Sequence, residues 1–145
     1  MATNEIEAEK RFTPQILIFD EKSDDSFLLA HYLRYCEFDV FEESTADNFI
    51  EKITDIKPDL VVISESFSLV DGFELCAMLR QQAKLDGIFI ILLLDEDVES
   101  SQVRAQISGA DDTVTRPKMS DKSYSHHKIA KFVHTHLINK PNKPA

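Results

Sequence analysis

Glycine is scarce in this sequence: its 145 residues include only three glycines, and tryptophan is absent. Phosphate-binding loops, dinucleotide-binding loops and the nucleophile elbow of hydrolases all need glycines at fixed spacings. The sequence contains none of these patterns. It therefore offers no motif for a nucleotide-dependent enzyme or a serine hydrolase.

Long apolar runs and cysteine are rare as well. The longest unbroken apolar run, residues 88–94, is far shorter than the roughly 20 residues that a membrane-spanning helix needs. The polar, acidic start, MATNEIEAEK, is unlike a secretory or transit signal. Cys36 and Cys76 lie within apolar helical patterns, which indicates reduced core thiols, with a disulfide between them as the alternative. We therefore predict a cytoplasmic protein without membrane contact.

The length suits one domain with a hydrophobic core. Charge is distributed unevenly: residues 1–115 contain 25 acidic and nine basic side chains, whereas residues 116–145 contain one acidic and seven basic. An acidic body lacks the attraction for phosphate that dominates nucleic-acid binding, so we predict no nucleic-acid partner. The basic stretch either contacts an acidic partner or forms a solvated helix face and tail.

Strand-like and helix-like segments alternate five times along the chain. The predicted strands are residues 15–20, 38–41, 59–64, 88–94 and 112–115. The predicted helix starts are Ser23, Thr45, Asp71 and either Asp97 or Ser100, and Pro58 and Gly109 end the second and fourth helices. The first helix is predicted to carry Leu28, Leu29, Tyr32, Leu33 and Cys36 inward, and the second has an apolar stripe of Phe49, Ile50 and Ile53. The third carries Phe73, Leu75, Cys76 and Leu79, the fourth contains Val103 and Ile107, and the last carries Ile129, Phe132, Val133 and Leu137. This order predicts a doubly wound parallel sheet with helices on both faces.

In such a sheet, ligands bind at the carboxyl ends of the central strands. The side chains at those ends are Asp20-Glu21, Ser64-Glu65, Leu94-Asp95 and Thr115-Arg116. We therefore expect several acids, a hydroxyl and a guanidinium to lie within a few ångströms of one another.

Several motifs together resemble the receiver domain of two-component response regulators, from about residue 15 to residue 137. They are Asp20-Glu21, Pro58-Asp-Leu-Val61, Asp71-Gly-Phe-Glu-Leu75, Gly109-Ala-Asp-Asp112 and Arg116-Pro117. The resemblance implies a flavodoxin-like (βα)5 fold with the strand order 2-1-3-4-5. The domain is predicted at residues 15–138. The composition of the ends predicts a disordered start at residues 1–14 and, at residues 139–145, a flexible tail or the start of a linker.

The resemblance further implies roles for site positions, and this sequence departs at four of them. The family accepts a phosphoryl group on an aspartate where Ser64 stands here. A hydroxylated residue and a lysine that hold the phosphoryl oxygens are replaced by Leu94 and Arg116, and an aromatic switch residue by Thr113.

These departures remove chemistry that phosphoryl transfer needs. Ser64 cannot form an acyl phosphate and offers no anionic oxygen to Mg²⁺. The forked guanidinium of Arg116 suits a carboxylate, so we expect it to pair with Asp20 or Glu21. Any Mg²⁺ binding through those two acids is then expected to be weak or lost, and no cofactor is predicted.

Two further sets of side chains allow more than one interpretation. Asp95 either deepens an acidic cup that holds a cation or begins the polar run that leads into the next helix, and we prefer the second. Glu65 follows Ser64 directly, so it should point away from the pocket. Four histidines in the C-terminal segment fit a solvated helix surface better than a metal site: His126, His127, His134 and His136.

The favoured hypothesis is a pseudo-receiver: a non-enzymatic, phosphorylation-independent protein–protein interaction module in signal transduction. Its partner would be a signalling protein or a second copy, bound through the face that begins at Val98 and ends at Leu137. One alternative is a domain switched by phosphorylation of Ser64 or by a divalent cation. A small metal-dependent enzyme is a more distant one.

Overall fold

The computed structural model describes residues 12–116 and 122–139. Residues 1–11 and 140–145, which contain most of the expected disordered start and flexible tail, lie outside these ranges. The strands are β1 (Gln15–Phe19), β2 (Asp39–Glu43), β3 (Leu60–Ser64), β4 (Phe89–Leu94) and β5 (Asp112–Thr115). The helices are α1 (Ser23–Tyr35), α2 (Phe49–Ile56), α3 (Gly72–Arg80), α4 (Glu99–Ser108) and α5 (Lys122–Val133), which continues as a π-helical turn (His134–Ile138).

All strand pairs in the sheet are parallel, and the strand order is β2-β1-β3-β4-β5. The predicted fold and strand order are therefore confirmed. The register pairs Ser64 with Leu93, and Leu94 with Thr115. The ends of β3, β4 and β5 are thus level, which brings the residues that follow them to one edge of the sheet.

The hydrophobic core lies in two layers, one on each face of the sheet. Ile16 and Ile18 of β1 pack with residues of α1 and α5, whereas Leu17 and Phe19 pack with residues of α2, α3 and α4. Successive side chains of a strand point to opposite faces, so a central strand with both faces covered needs a continuous apolar run. Burial on both faces of the sheet is therefore the physical reason for the apolar runs in the sequence.

The structure confirms the predicted start of α3 and corrects two others. Asp71 caps α3 by accepting a 2.7 Å hydrogen bond from the Phe73 N–H. Thr45 does not cap α2, because its hydroxyl accepts from the Asp47 N–H and shapes the preceding loop, while Asn48 precedes the helix. The helix α4 begins at Glu99, between the two starts that we had predicted.

The first helix also differs from the prediction in detail. Lys22 precedes α1, and among the described residues no side chain caps that end, so Ser23 is its first residue rather than its cap. Leu28 was expected to face the core but is 40% exposed. The buried face of α1 instead includes Ser26, Leu29 and Leu33.

The two cysteines are free thiols and pack on opposite faces of the sheet. Burial raises the pKa of the Cys76 thiol to about 11, so it stays protonated at neutral pH. This arrangement agrees with the prediction of reduced core thiols and leaves the alternative disulfide unformed. Within the described residues, no helix has the length and apolar character needed to span a membrane.

Candidate functional site

The carboxyl edge of the sheet brings together side chains from four separate segments of the chain. Asp20 follows β1, Ser64 ends β3, Asp95 follows β4 and Arg116 follows β5. Asp25 joins them from the first turn of α1. We refer to these five residues as the Arg116 cluster, because each of the other four contacts the guanidinium.

The guanidinium of Arg116 uses all five of its N–H donors. Its two terminal nitrogens bind both carboxylate oxygens of Asp20, at 2.9 Å and 2.6 Å, in the planar geometry that arginine favours with carboxylates. The same nitrogens donate to Asp25 at 3.0 Å and to the hydroxyl of Ser64 at 2.8 Å. The Nε–H donates to Asp95 at 3.0 Å. Of the two partners predicted for Arg116, Asp20 or Glu21, the structure shows Asp20.

The cluster is buried at its centre, whereas Asp25 and Asp95 at its rim are partly exposed. Asp20 is 1% exposed and Ser64 is fully buried, while Arg116 is 9% exposed. Burial works against the charged guanidinium, but hydrogen bonds and attraction from Asp20 and Asp95 outweigh it and raise the pKa of Arg116. Partial burial likewise opposes ionisation of Asp95, yet hydrogen bonds from Ser66 and Arg116 hold the pKa of its carboxyl below the usual range. Arg116 and Asp95 therefore stay charged at neutral pH.

Ser64 has hydrogen-bond partners but no base. Its hydroxyl accepts from Arg116 and from the Ser66 N–H, and it donates to the Ser66 carbonyl at 3.3 Å. Within the described residues, no carboxylate or imidazole accepts its proton. An alcohol without a base is a weak nucleophile, so the hydroxyl is held in place rather than activated.

Glu21 does not join the cluster, although it is next to Asp20 in the sequence. Both of its carboxylate oxygens accept from the backbone N–H and the hydroxyl of Ser68, the shortest contact being 2.6 Å. Glu21 therefore fixes the loop between β3 and α3. The expectation that both acids would line one pocket is correct for Asp20 alone.

The side chains at the other two departures from the family pattern also have structural roles. Leu94 is fully buried in the core layer beneath α2, α3 and α4. Thr113 is almost buried, and its hydroxyl donates a 2.7 Å hydrogen bond to Gln102 of α4. Lys128 of α5 donates to the Thr113 carbonyl at 2.8 Å. Thr113 thereby ties β5 to the helices on both of its sides.

The oxygen atoms at this site do not fit the Mg²⁺ ion that the resemblance implies. Both oxygens of Asp20 are engaged by Arg116, and one also accepts from the Lys22 N–H. Ser64 supplies a neutral oxygen, whereas Mg²⁺ is usually bound through carboxylates. Across residues 12–116 and 122–139, no group of three or more acids, histidines or cysteines is arranged to hold a metal.

Reasoning from the sequence missed two members of the cluster. We had taken Asp95 mainly as the start of a polar run, but it binds Arg116 and Ser66. Asp25 was not singled out, although the first turn of α1 must lie near the end of β1. Glu65 makes no hydrogen bond to Arg116, whose donors bind other groups, and its carboxylate accepts from the Asp95 N–H at 2.6 Å.

The C-terminal histidines contact aromatic rings. His134 lies 5.6 Å from the ring of Phe38, and His136 lies 4.2 Å from that of Phe132. His126 is 5.6 Å from the Tyr32 ring. The contact of His126 packs α5 against α1, and His136 also lies 5.6 Å from the ring of Phe89, which begins β4.

Comparison with known proteins identifies the family. The pattern of the response regulator receiver domain matches residues 16–127. The alkaline phosphatase synthesis transcriptional regulatory protein PhoP of Bacillus subtilis is 33% identical over 103 residues, which are 71% of this chain and 42% of that protein. The chain therefore belongs to the response regulator receiver domain family, whose members serve two-component signal transduction.

Solved structures support the same fold. A putative response regulator from Chloroflexus aurantiacus has a TM-score of 0.75 at 18% identity, covering 86% of this chain and all of that one. The chemotaxis protein CheY4 of Vibrio cholerae also has a TM-score of 0.75, at 16% identity, covering 84% of this chain and 99% of that one. At these identities the likeness concerns the fold alone.

The chain spans less than half the length of the curated relatives that it matches. PhoP is a transcriptional regulatory protein, so the predicted exclusion of nucleic acid is not supported for proteins that contain this domain. The acidic composition that led to that prediction describes one domain, whereas regulation of transcription belongs to the whole relative.

Proposed function

We propose that this domain is a pseudo-receiver, which acts by binding proteins and not by accepting a phosphoryl group. The observation that carries the proposal is the position of the Arg116 guanidinium. It bonds to the serine at the acceptor position and to the first acid of the pair that would hold the metal. An intramolecular cation thus occupies the place where the family's chemistry brings a metal and a phosphoryl group.

The burial of Ser64 argues against the alternative of a switch by serine phosphorylation. A kinase must reach the hydroxyl, but Ser64 is fully buried and bonded to Arg116. The added phosphate would also enter a site that already contains the carboxylates of Asp20, Asp25 and Asp95. An enzymatic role has no support from an activated nucleophile or a metal group among the described residues.

The surface proposed for protein binding is the face between Val98 and Leu137. Three apolar residues of that segment are unusually exposed: Val98 is 42% exposed, Val103 47% and Ile107 81%. Exposed apolar residues that lie together are typical of interfaces. The hydrogen bonds of Thr113 to Gln102 and Lys128 hold α4, β5 and α5 in one arrangement. A partner would therefore meet a preformed surface, which we place in the cytoplasm.

A small-molecule phosphodonor tests the proposal directly. The full chain is incubated with acetyl phosphate and Mg²⁺, and its intact mass is measured by mass spectrometry. We expect no added phosphoryl group, because Ser64 cannot form an acyl phosphate and lacks a base. A receiver that retains the acceptor aspartate is the positive control. A stoichiometric mass increase of this chain under the same conditions would contradict the proposal.

A further inference from the structure

A groove of about 400 Å³ lies beside the β3–α3 loop, and none of its lining residues belongs to the Arg116 cluster. Its floor is formed by Phe49 of α2 and Leu75 of α3, both almost fully buried. Phe67 and Val70 of the loop and Met78 of α3 form its walls. We call this cavity the α2–α3 groove. Its size and apolar lining fall within the range of ligand-binding sites.

Apolar surface continues beyond the cavity onto its rim. Leu69, at the tip of the loop, is 97% exposed, and Met78 is 41% exposed. Burial in an interface stabilises a leucine side chain that is otherwise left in water at a loop tip. Leu69 lines the groove yet is almost entirely exposed, so a small ligand would cover only part of its side chain, whereas a protein segment that lies across the opening would bury it.

The charge around the groove has a single sign. Glu21 and Asp47 are the charged side chains among the described residues that line it, and both are acidic. Glu21 is bound to Ser68, but its carboxylate has lone pairs left for a further donor. Residues 1–115 are strongly acidic as a whole, which adds long-range attraction for a cation. The complementary occupant is therefore basic as well as apolar.

The rim of the groove is already ordered. Glu21 fixes Ser68 by hydrogen bonds to its backbone and its hydroxyl. A bridge between Ser66 and Asp71 closes the base of the same loop, and Asp71 caps α3. A preordered loop loses little conformational freedom on binding, which favours affinity.

We propose that the α2–α3 groove binds a short segment of a partner protein in which a large apolar side chain is flanked by lysine or arginine. The apolar side chain enters the cavity above Phe49 and Leu75 and is covered by Leu69. The flanking cations pair with Glu21 and Asp47 at the rim. This surface is separate from residues 98–137, so one molecule could bind two partners.

The test is a titration of the full chain with a blocked peptide, Lys-Lys-Leu-Phe-Lys-Arg, followed by two-dimensional nitrogen–proton NMR. We expect saturable shifts in the amide signals of Ala46, Leu69 and Met78. Affinity should fall as salt is added, because the flanking charges are exposed. A peptide with glutamates in place of the basic residues, and one with serines in place of leucine and phenylalanine, should bind at least about tenfold more weakly.

Two surface variants separate this groove from other apolar surface. Leu69→Ser should weaken binding about tenfold, as expected for the loss of one buried leucine. Tyr35→Ser removes a comparably exposed side chain at the end of α1 and should leave the affinity unchanged. The proposal fails if the acidic peptide binds as tightly as the basic one, if the shifts map to residues 98–116, or if no saturation is reached. It also fails if the groove signals shift with protein concentration alone, since a second copy would then be the occupant.

Discussion

Replacing Arg116 with methionine is expected to lower the free energy of unfolding by about 3–5 kcal/mol. The substitution keeps much of the apolar stem but removes five hydrogen bonds and the positive charge. It leaves Asp20, which is only 1% exposed, as an unpaired buried carboxylate, with two further acids close by. The cost is dominated by that uncompensated charge. Urea unfolding followed by circular dichroism measures it.

Arg104→Met is the matched control for this substitution. Arg104 also pairs with a carboxylate, that of Asp71 at 2.5 Å, but its side chain is 55% exposed. Exposed pairs contribute only about 0–1 kcal/mol, so this variant should stay close to the unmodified protein. A double variant, Asp20→Asn with Arg116→Met, should recover part of the loss because it removes the stranded charge as well. Equal losses for Arg116→Met and Arg104→Met would show that the buried pair does not stabilise the fold as described.

The second large effect is expected at Gly72, which begins α3 directly beside Ser64. A Cβ atom at this position would lie 1.9 Å from the Ser64 carbonyl oxygen and 2.7 Å from the Glu65 Cα. These are backbone atoms, which cannot rotate away as a flexible side chain would. Gly72→Ala should therefore destabilise the protein by about 3 kcal/mol or more, at the upper end of overpacking effects.

Gly87→Ala provides the comparison for Gly72→Ala. Nothing lies within 4 Å of a Cβ at Gly87, and its φ is not positive. The added methyl group there only reduces the freedom of the unfolded chain, so stability should be unchanged or rise by up to about 1 kcal/mol. If Gly72→Ala unfolds at the same urea concentration as Gly87→Ala, the result would contradict the close packing of α3 against the end of β3.

The sequence predicted the sheet well because burial on both faces demands apolar runs. The observed bounds of β1, β3, β4 and β5 lie within one residue of the predicted ones. Helix starts were less predictable, because several short polar residues compete at each of them. Thr45 illustrates this: its hydroxyl shapes a turn three residues before α2 instead of capping the helix.

The candidate site was predicted in part. Strand ends placed Asp20, Ser64 and Arg116 at one edge of the sheet, and the chemistry of arginine predicted a pair with Asp20 or Glu21. The reach of the guanidinium to Asp25 and Asp95 depends on where α1 and the β4–α4 loop pack, which is tertiary information. From the sequence, Glu21 was as compatible with a contact to Arg116 as with one to the β3–α3 loop. It contacts the loop because the backbone N–H and the hydroxyl of Ser68 donate to its carboxylate.

We propose that Arg116 takes the place of the metal and the phosphoryl group, and NMR with Mg²⁺ and beryllofluoride tests this most directly. Beryllofluoride mimics a bound phosphoryl group, so a functional receiver pocket would respond to it together with the metal. We expect the amide signals of Ser64, Leu94 and Arg116 to stay unchanged up to millimolar concentrations of both. Saturable shifts at these positions and at Thr113 would contradict the account.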